Sequence, residues 1–308
     1  MSTTTAASPG LAARTDAVDL SRLIDIEGFP LDGRDLPASD PRHSAYWNVV
    51  EYARSGLRSD GCAVLERFVT ALGVRQLNDE IVAAKPKTHF STQVINPYFH
   101  THIDPDFSDD HPVNTFTERS SGFIPGDAWP AVCAIDTVFR SPQLCRLLAD
   151  CLEIDELHCY ADPLAGLTAN ILDPSQQFPW HFDTNDFAVT VLVQPADEGG
   201  LFEYAPGVRS ADDEGFEVIG SLLAGGRDGV RTLELRPGDL QIFRGRYSLH
   251  RVTRVTASSQ PRHAAIFAYT HQSGVIGRVE RTRQLFGRVL PEHEEAERRR
   301  VRDDDLLD

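Results

Sequence analysis

Apolar positions recur at helical spacing in three stretches of the chain. From Ser44 to Ser59, Tyr46, Val49, Val50, Ala53 and Leu57 fall on one helical face. Thr70 to Ala84 repeats the pattern with Leu72, Val74, Leu77 and Ile81, and Ser141 to Leu152 with Leu144, Leu147, Leu148 and Leu152. Between the first two, Asp60-Gly61 turns the chain into Cys62–Leu65, a predicted strand. Beyond about residue 155 the period shortens to that of strands. Leu157–Leu172 reads as two strands broken at Asp162–Gly166, and Phe187–Gln194 is a β-branched and aromatic run typical of a buried strand. Turn clusters at Pro195–Gly200 and Arg236–Asp239 set off Leu201–Tyr204 and Leu240–Phe243. Arg246–Val252 is again strand-like, and Pro261–Tyr269 is a last apolar strand opened by an arginine. Eight or so short strands preceded by helices predict a mainly β fold with supporting helices: a jelly roll, or double-stranded β-helix, of the cupin-like kind.

The remaining segments are weaker in pattern. Residues 1–18 are small and polar and read as disordered, and a Pro/Gly/Asp-rich connector runs to about 42. Residues 85–130 hold six prolines and four histidines and read as irregular, with 95–125 a lid or substrate loop. Ser210–Arg231, acidic and glycine-bearing, reads as a surface hairpin. Its Ala224–Gly229 run lacks the Gly-Lys-Ser/Thr ending of a phosphate loop. The charged stretch from Pro291 reads as a solvated, frayed helix or disorder. The predicted organisation is therefore a flexible segment 1–42, a single domain 43–290 with core strands at about 155–272, and a charged tail 291–308.

Composition narrows the partners. A formal charge of −16 over 308 residues argues against nucleic acid and against an anionic membrane surface. It leaves a small-molecule substrate as the expected partner. Five cysteines without a Cys-x-x-Cys pair suggest neither a disulfide framework nor a zinc knuckle. No apolar run reaches the ~18 residues of a spanning helix, and the first residues lack a signal peptide's basic start and apolar middle. A cytoplasmic location is expected.

Candidate chemistry concentrates in Phe178-Pro179-Trp180-His181-Phe182-Asp183. Residues i and i+2 of a strand share a face, so His181 and Asp183 can close on one metal ion from one side. His250, in the downstream strand-like run, is the best third ligand. Two histidines and one carboxylate on one face of an octahedron leave the other face open, the donor set of non-haem Fe(II) oxygenases. His100-x-His102 repeats the spacing and is a rival, but it lies in a proline-rich loop and has no strand-borne partner.

His181-x-Asp183, Gly199-Gly200-Leu-Phe-Glu203, Pro237-Gly238-Asp239, His250-Arg-Val252 and Arg262 together resemble the Fe(II)/2-oxoglutarate-dependent oxygenase superfamily. Over residues 95–272 the wording is closest to the branch of free-amino-acid hydroxylases and lysine radical halogenases. Halogenases of that branch carry glycine or alanine where this chain keeps Asp183, so the resemblance implies oxygen transfer and no place for a halide. It further implies 2-oxoglutarate and O2 as co-substrates, with CO2 and succinate as co-products. The distal carboxylate of 2-oxoglutarate needs a buried arginine. Arg262, at the family-like distance after His250, is the first choice. Arg254, which shares strand parity with His250, is the rival, whereas Arg251 should face the other way. Thr168 and Asn170 either bind 2-oxoglutarate or substrate or form an ordinary strand-edge pair. Trp180, Thr184 and Asn185 flank the ligands as candidate pocket residues. Asp162 or Glu203 could neutralise a substrate ammonium, with a turn role before Pro163 as the other reading of Asp162. The expected activity is hydroxylation of an unactivated C–H of a free amino acid or similar small polar metabolite. Desaturation or cyclisation at the same site, and a non-catalytic metal-binding jelly roll, are the alternatives.

Overall fold

The computed structural model describes residues 18–185, 187–299 and 306–307. Helices α1 (Leu20–Leu23) and α2 (Pro41–Asp60) lead into strand β1 (Cys62–Leu65), then α3 (Ala71–Ala84), β2 (His89–Ile95) and β3 (Thr117–Ile124). Next come α4 (Ala134–Phe139), α5 (Pro142–Leu152), β4 (His158–Cys159), β5 (Leu167–Leu172), β6 (Phe178–His181), β7 (Phe187–Gln194) and β8 (Phe202–Ala205). The chain closes with α6 (Phe216–Leu223), β9 (Arg231–Leu233), β10 (Leu240–Phe243), β11 (Leu249–Val252), β12 (Arg262–Thr270), α7 (Val279–Phe286) and α8 (Pro291–Arg299).

Local signals set the helix limits. Asp40 accepts from the N–H of Arg42 and Pro41 fills the first turn of α2. Gly61, at φ +63°, stops the same helix in a left-handed conformation that a residue with a Cβ resists. Thr70 and Ser141 cap α3 and α5 through the N–H groups of Gly73 and Leu144.

The strands form two antiparallel sheets facing each other, the jelly-roll arrangement. The larger runs β1-β10-β7-β12-β5-β3-β2, with β4 also paired to β12; the smaller runs β6-β11-β8-β9. Alternation divides the larger sheet cleanly. Val189, Val191 and Val193 of β7, Ala169 and Ile171 of β5, and Ala265, Phe267 and Tyr269 of β12 point outward into a core shared with α2 to α5. The intervening residues of the same strands point inward, towards the smaller sheet. Phe178, Phe202, Phe243 and Val252 form the apolar layer between the sheets. All five cysteines are free, and among the described residues no helix is long and apolar enough to cross a membrane.

Four expectations change. Residues 85–130 are not irregular throughout, because β2 and β3 pair over seven residues and extend the larger sheet. The prolines bracket these strands at 86, 97, 112 and 125 and do not interrupt them, so the loop shrinks to 96–116. Strands of the larger sheet therefore come from well before residue 155. Ser210–Arg231 is not a hairpin: it contains α6, whose Ile219 and Leu222 are buried. The tail from Pro291 begins as a helix, α8, one of its two expected readings, but it is not solvated throughout, because His293 is fully buried against Asp162. The segment read as disordered, residues 1–18, lies outside the described residues except for Val18.

Candidate active site

β6 and β11 are neighbours in the smaller sheet, and their register sets His181 directly opposite His250. The two imidazole centroids are 4.0 Å apart. Asp183 follows β6 by two residues and is tied back by its N–H donating to the carbonyl of Gly245 at 3.1 Å. One Asp183 oxygen lies 3.5 Å from His250 Nε2 and 3.9 Å from His181 Nε2. Ligand atoms of the three residues all fall within 4.8 Å of one another, and no other such group occurs among the described residues. His100 and His102 lie in the loop and join no such group.

The donor set is poised for a metal. Nδ1 of His181 is 2.8 Å from the carbonyl of Pro179, and Nδ1 of His250 is 2.9 Å from that of Ser248. A carbonyl can only accept, so each Nδ1 carries the proton and each Nε2 offers its lone pair towards Asp183. Burial, aided by neighbouring His250, lowers the His181 pKa well below the ordinary imidazole value and keeps the ring neutral. Burial works to raise the Asp183 pKa, but His250, His181 and Arg281 outweigh it and hold the carboxylate at about 2. Gly245 supplies the room: a Cβ there would lie 2.7 Å from the Asp183 carboxyl carbon, inside van der Waals contact.

A cavity of about 200 Å³ opens between the sheets beside this group. Its floor is the inward face of the larger sheet: Thr168 and Asn170 of β5, Ala188 and Thr190 of β7, Gln241 of β10 and Arg262 of β12. Arg262 is 6% exposed, and no described side chain or carbonyl hydrogen-bonds or ion-pairs with its guanidinium. Burial alone lowers its pKa, to about 10, so it stays charged at neutral pH. A buried cation without an anion is costly. It is a fitting receptor for a carboxylate brought in by a ligand.

The structure gathers Thr168, Asn170, Thr184, Asn185 and Arg262 around the triad and leaves four expected residues out. Trp180, one position from His181, points to the opposite face of β6 and stacks under Arg251 at 4.5 Å. Glu203 lies on that same outer face, gripped by Arg227 at 2.7 and 2.8 Å and by Arg251 at 2.7 Å. These arginines, Arg227 foremost, outweigh its burial and bring its pKa to about 2. Asp162 is a buried turn residue. Its Oδ1 accepts from the N–H groups of Leu164 and Ala165, and its Oδ2 from Gly277 N–H and pairs with His293 at 3.0 Å. Arg254 is half exposed and donates to the Ser175 carbonyl. Neither acid is available to a substrate ammonium, and Arg254 does not line the cavity.

Sequence reasoning missed the contribution of α7. Arg278, just before the helix, and Arg281, Thr282 and Leu285 within it line the cavity at spacings of three and four residues. That spacing was the available signal, hidden because the run lies beyond the last strand. Thr190 and Gln241, hydrogen-bonded at 3.0 Å, were inside predicted strands and readable from parity with Arg262 through the sheet register.

Residues 131–283 match the family described as HalD: Halogenase D. The chain resembles the halogenase-related branch of the Fe(II)/2-oxoglutarate oxygenases. A 2OG-Fe(II) oxygenase-family oxidoreductase from Burkholderia pseudomallei is 14% identical, with a TM-score of 0.46 over 74% of this chain and 92% of that one. A Pseudomonas putida prolyl-4-hydroxylase is 13% identical, at 0.44 over 71% and 96%. The epimerase SnoN, solved with Fe3+, alpha ketoglutarate and nogalamycin RO, is 14% identical, at 0.49 over 72% and 84%. No curated protein is significantly similar in sequence. Unlike the halogenase pattern, this member of the fold retains the carboxylate of the triad, Asp183.

Proposed function

We propose that the protein is an Fe(II)/2-oxoglutarate-dependent dioxygenase that hydroxylates an unactivated C–H of a free amino acid or similar small polar metabolite. One observation carries the reading: the His181–Asp183–His250 donor group and the unpaired, buried Arg262 line one cavity. A structural metal site has no use for the arginine.

His181, Asp183 and His250 would hold iron. Iron bound with 2-oxoglutarate and O2 supplies the oxidant for C–H cleavage, with succinate and CO2 as co-products. Everything else is positioning. The Pro179 and Ser248 carbonyls fix the tautomer and aim of both imidazoles. Arg262 binds the distal carboxylate of 2-oxoglutarate through its planar fork. Ala188 and Ala264 leave space beside it. Thr168 offers a hydroxyl on the same floor, while Asn170 holds the Gly122 carbonyl at 3.2 Å and so braces β5 against β3. Phe178 and Phe99 pack against the His181 ring at 4.2 and 5.5 Å and exclude water from that side. Thr184 and Asn185, directly after the triad's carboxylate, are placed to orient the substrate. With Asp183 among the residues that would hold the iron, no position would be left for a halide, which supports oxygen transfer.

The test is succinate release from 2-oxoglutarate across a panel of free amino acids and nucleoside-like metabolites, with product masses. Iron- and O2-dependent release with a gain of one oxygen supports hydroxylation. A loss of two hydrogens means desaturation or cyclisation at the same site. No succinate with any substrate, and none without, contradicts the proposal.

A further inference from the structure

Leu306 and Leu307, in the stretch read as a charged tail, sit against the domain directly behind the metal-ligand group. Asp183 lies past the end of β6, so the ladder that sets His181 opposite His250 does not reach it. Other ties hold its segment. Phe182 N–H donates to the Pro97 carbonyl at 3.0 Å, and Asp183 N–H to that of Gly245 at 3.1 Å. The Thr184 carbonyl accepts from Arg246 at 3.0 Å. The Phe182 side chain, between the two ligands, points away from both into an apolar cluster with Tyr98, Ile219 and Leu249. Tyr98 stacks on its ring at 5.7 Å, and the guanidinium of Arg209 lies over it at 4.0 Å.

Arg209 joins these ties to one another. Its Nε donates to the Arg246 carbonyl at 2.6 Å, and its backbone N–H to the Tyr247 carbonyl at 3.3 Å. It therefore reaches from Phe182 to the 245–247 turn that receives Asp183. Its side chain is buried and pairs with Glu214 at 3.2 Å. Leu307 completes the pair: its carbonyl accepts from Arg209 Nη1 at 3.0 Å, and its N–H donates to Glu214. Leu306 beside it is 2% exposed.

On the reading that His181, Asp183 and His250 hold a metal, we propose that Arg209 is a positioning residue for Asp183 and that Leu306–Leu307 is the strap that fixes it. A buried ion pair keeps one geometry only when its remaining donors and lone pairs are satisfied, and Leu307 satisfies one on each partner. Release of the strap lets water reach the pair, frees the guanidinium to leave the Phe182 ring, and loosens the carboxylate. The two imidazoles stay in place, held by the β6–β11 ladder and by the Pro179 and Ser248 carbonyls. The strap thus tunes metal affinity through one ligand of the three.

Titration of the metal-free full chain with Co(II), followed by visible absorbance, tests this. Leu306→Asp places a charge where the strap is buried and should undock it without touching the domain's core. Arg209→Met combined with Glu214→Gln removes the pair and leaves neither charge unpartnered. The double variant should weaken Co(II) binding by ~10-fold or more, as loss of an outer-shell partner does, and Leu306→Asp by a part of that, roughly threefold or more. In an Asp183→Ala background neither change should weaken it further, because the clamp acts through that carboxylate. A purely structural role would lower the melting temperature and leave the affinity of the folded protein alone. Wild-type affinity in Leu306→Asp and in the double variant, or equal losses with Asp183 already replaced, would overturn the proposal. A wild type that binds Co(II) while the variants match it loses only this assignment. A wild type that binds no Co(II) loses the metal reading as well.

Discussion

Replacing Gly245 by alanine separates the metal site from the fold that carries it. A Cβ at this position would lie 2.7 Å from the Asp183 carboxyl carbon and nearer still to one of its oxygens. Ordinary contact begins at 3.4 Å, so the carboxyl carbon must retreat by at least 0.7 Å, the difference between the two. All three close atoms belong to the Asp183 side chain. That side chain is 27% exposed and can turn aside at little cost to packing. Metal ligation is less forgiving, since ligand distances hold to within about 0.2 Å. A forced shift of 0.7 Å either breaks the bond or crowds the carboxylate onto His250 Nε2, 3.5 Å away. Gly245→Ala should therefore weaken Fe(II) or Co(II) binding by at least the ~10–100-fold typical of losing an outer-shell partner. Its metal-free melting temperature should move by no more than about 4 °C, the shift that corresponds to roughly 1 kcal/mol. Metal titration followed by absorbance, with circular dichroism melts alongside, provides both numbers. Unchanged metal affinity would refute the claim that this glycine makes room for a ligating carboxylate.

Arg262→Met should raise the KM for 2-oxoglutarate by roughly 30-fold or more, because removing one partner of a buried charge pair costs about 2–5 kcal/mol. Arg254→Ala should change that KM less than about twofold, as expected of an exposed arginine; steady-state succinate release measures both, and reversed effects would exchange their roles. Metal-free protein should lose stability as pH falls from about 6.5 towards 4. Burial, with Lys85 nearby, lowers the folded-state pKa of His263 to about 4, so the unfolded chain takes up that proton first. Stability from this residue is complete above the unfolded value and disappears as pH approaches the folded one, and His181 acts in the same direction. Urea midpoints at pH 7.5 and 4.5 should differ, His263→Gln should narrow the difference, and equal wild-type midpoints would contradict the assignment. The carboxylates of Asp183 and Glu203, at about 2, act only in a lower window.

What the sequence revealed of this molecule follows from how local each signal is. His181 and Asp183 are two residues apart, and His250 sits in a run whose strand character is visible by itself. Cross-strand register then makes them neighbours, and nothing nonlocal was needed beyond that pairing. Trp180 misled because nearness in sequence to a ligand was taken as nearness in space, and Glu203 because its charge was read without its strand parity. Strand parity sends both to the outer face of the smaller sheet, where Arg251 meets them. Asp162 was ambiguous because its partners, Gly277 and His293, lie more than a hundred residues away. The α7 wall was invisible for the same reason: its spacing marks a helix, but no local pattern says that the helix returns over the cavity. β2 was hidden because its residues alternate between exposed and half-buried, with only Ile95 fully buried, and so lack a strong apolar face. Gly245 was missed because the carboxylate it accommodates is sixty-two positions earlier.

The central claim is that three side chains hold one Fe(II) with open positions for 2-oxoglutarate, which Arg262 anchors. Anaerobic titration of Fe(II) into the protein with 2-oxoglutarate present measures it directly, through the visible charge-transfer absorption of the iron–oxo-acid chelate. The wild-type protein should develop that band to one iron per chain, and His250→Ala should develop none. A wild type that shows no band, or a His250→Ala variant that matches it, would contradict the claim.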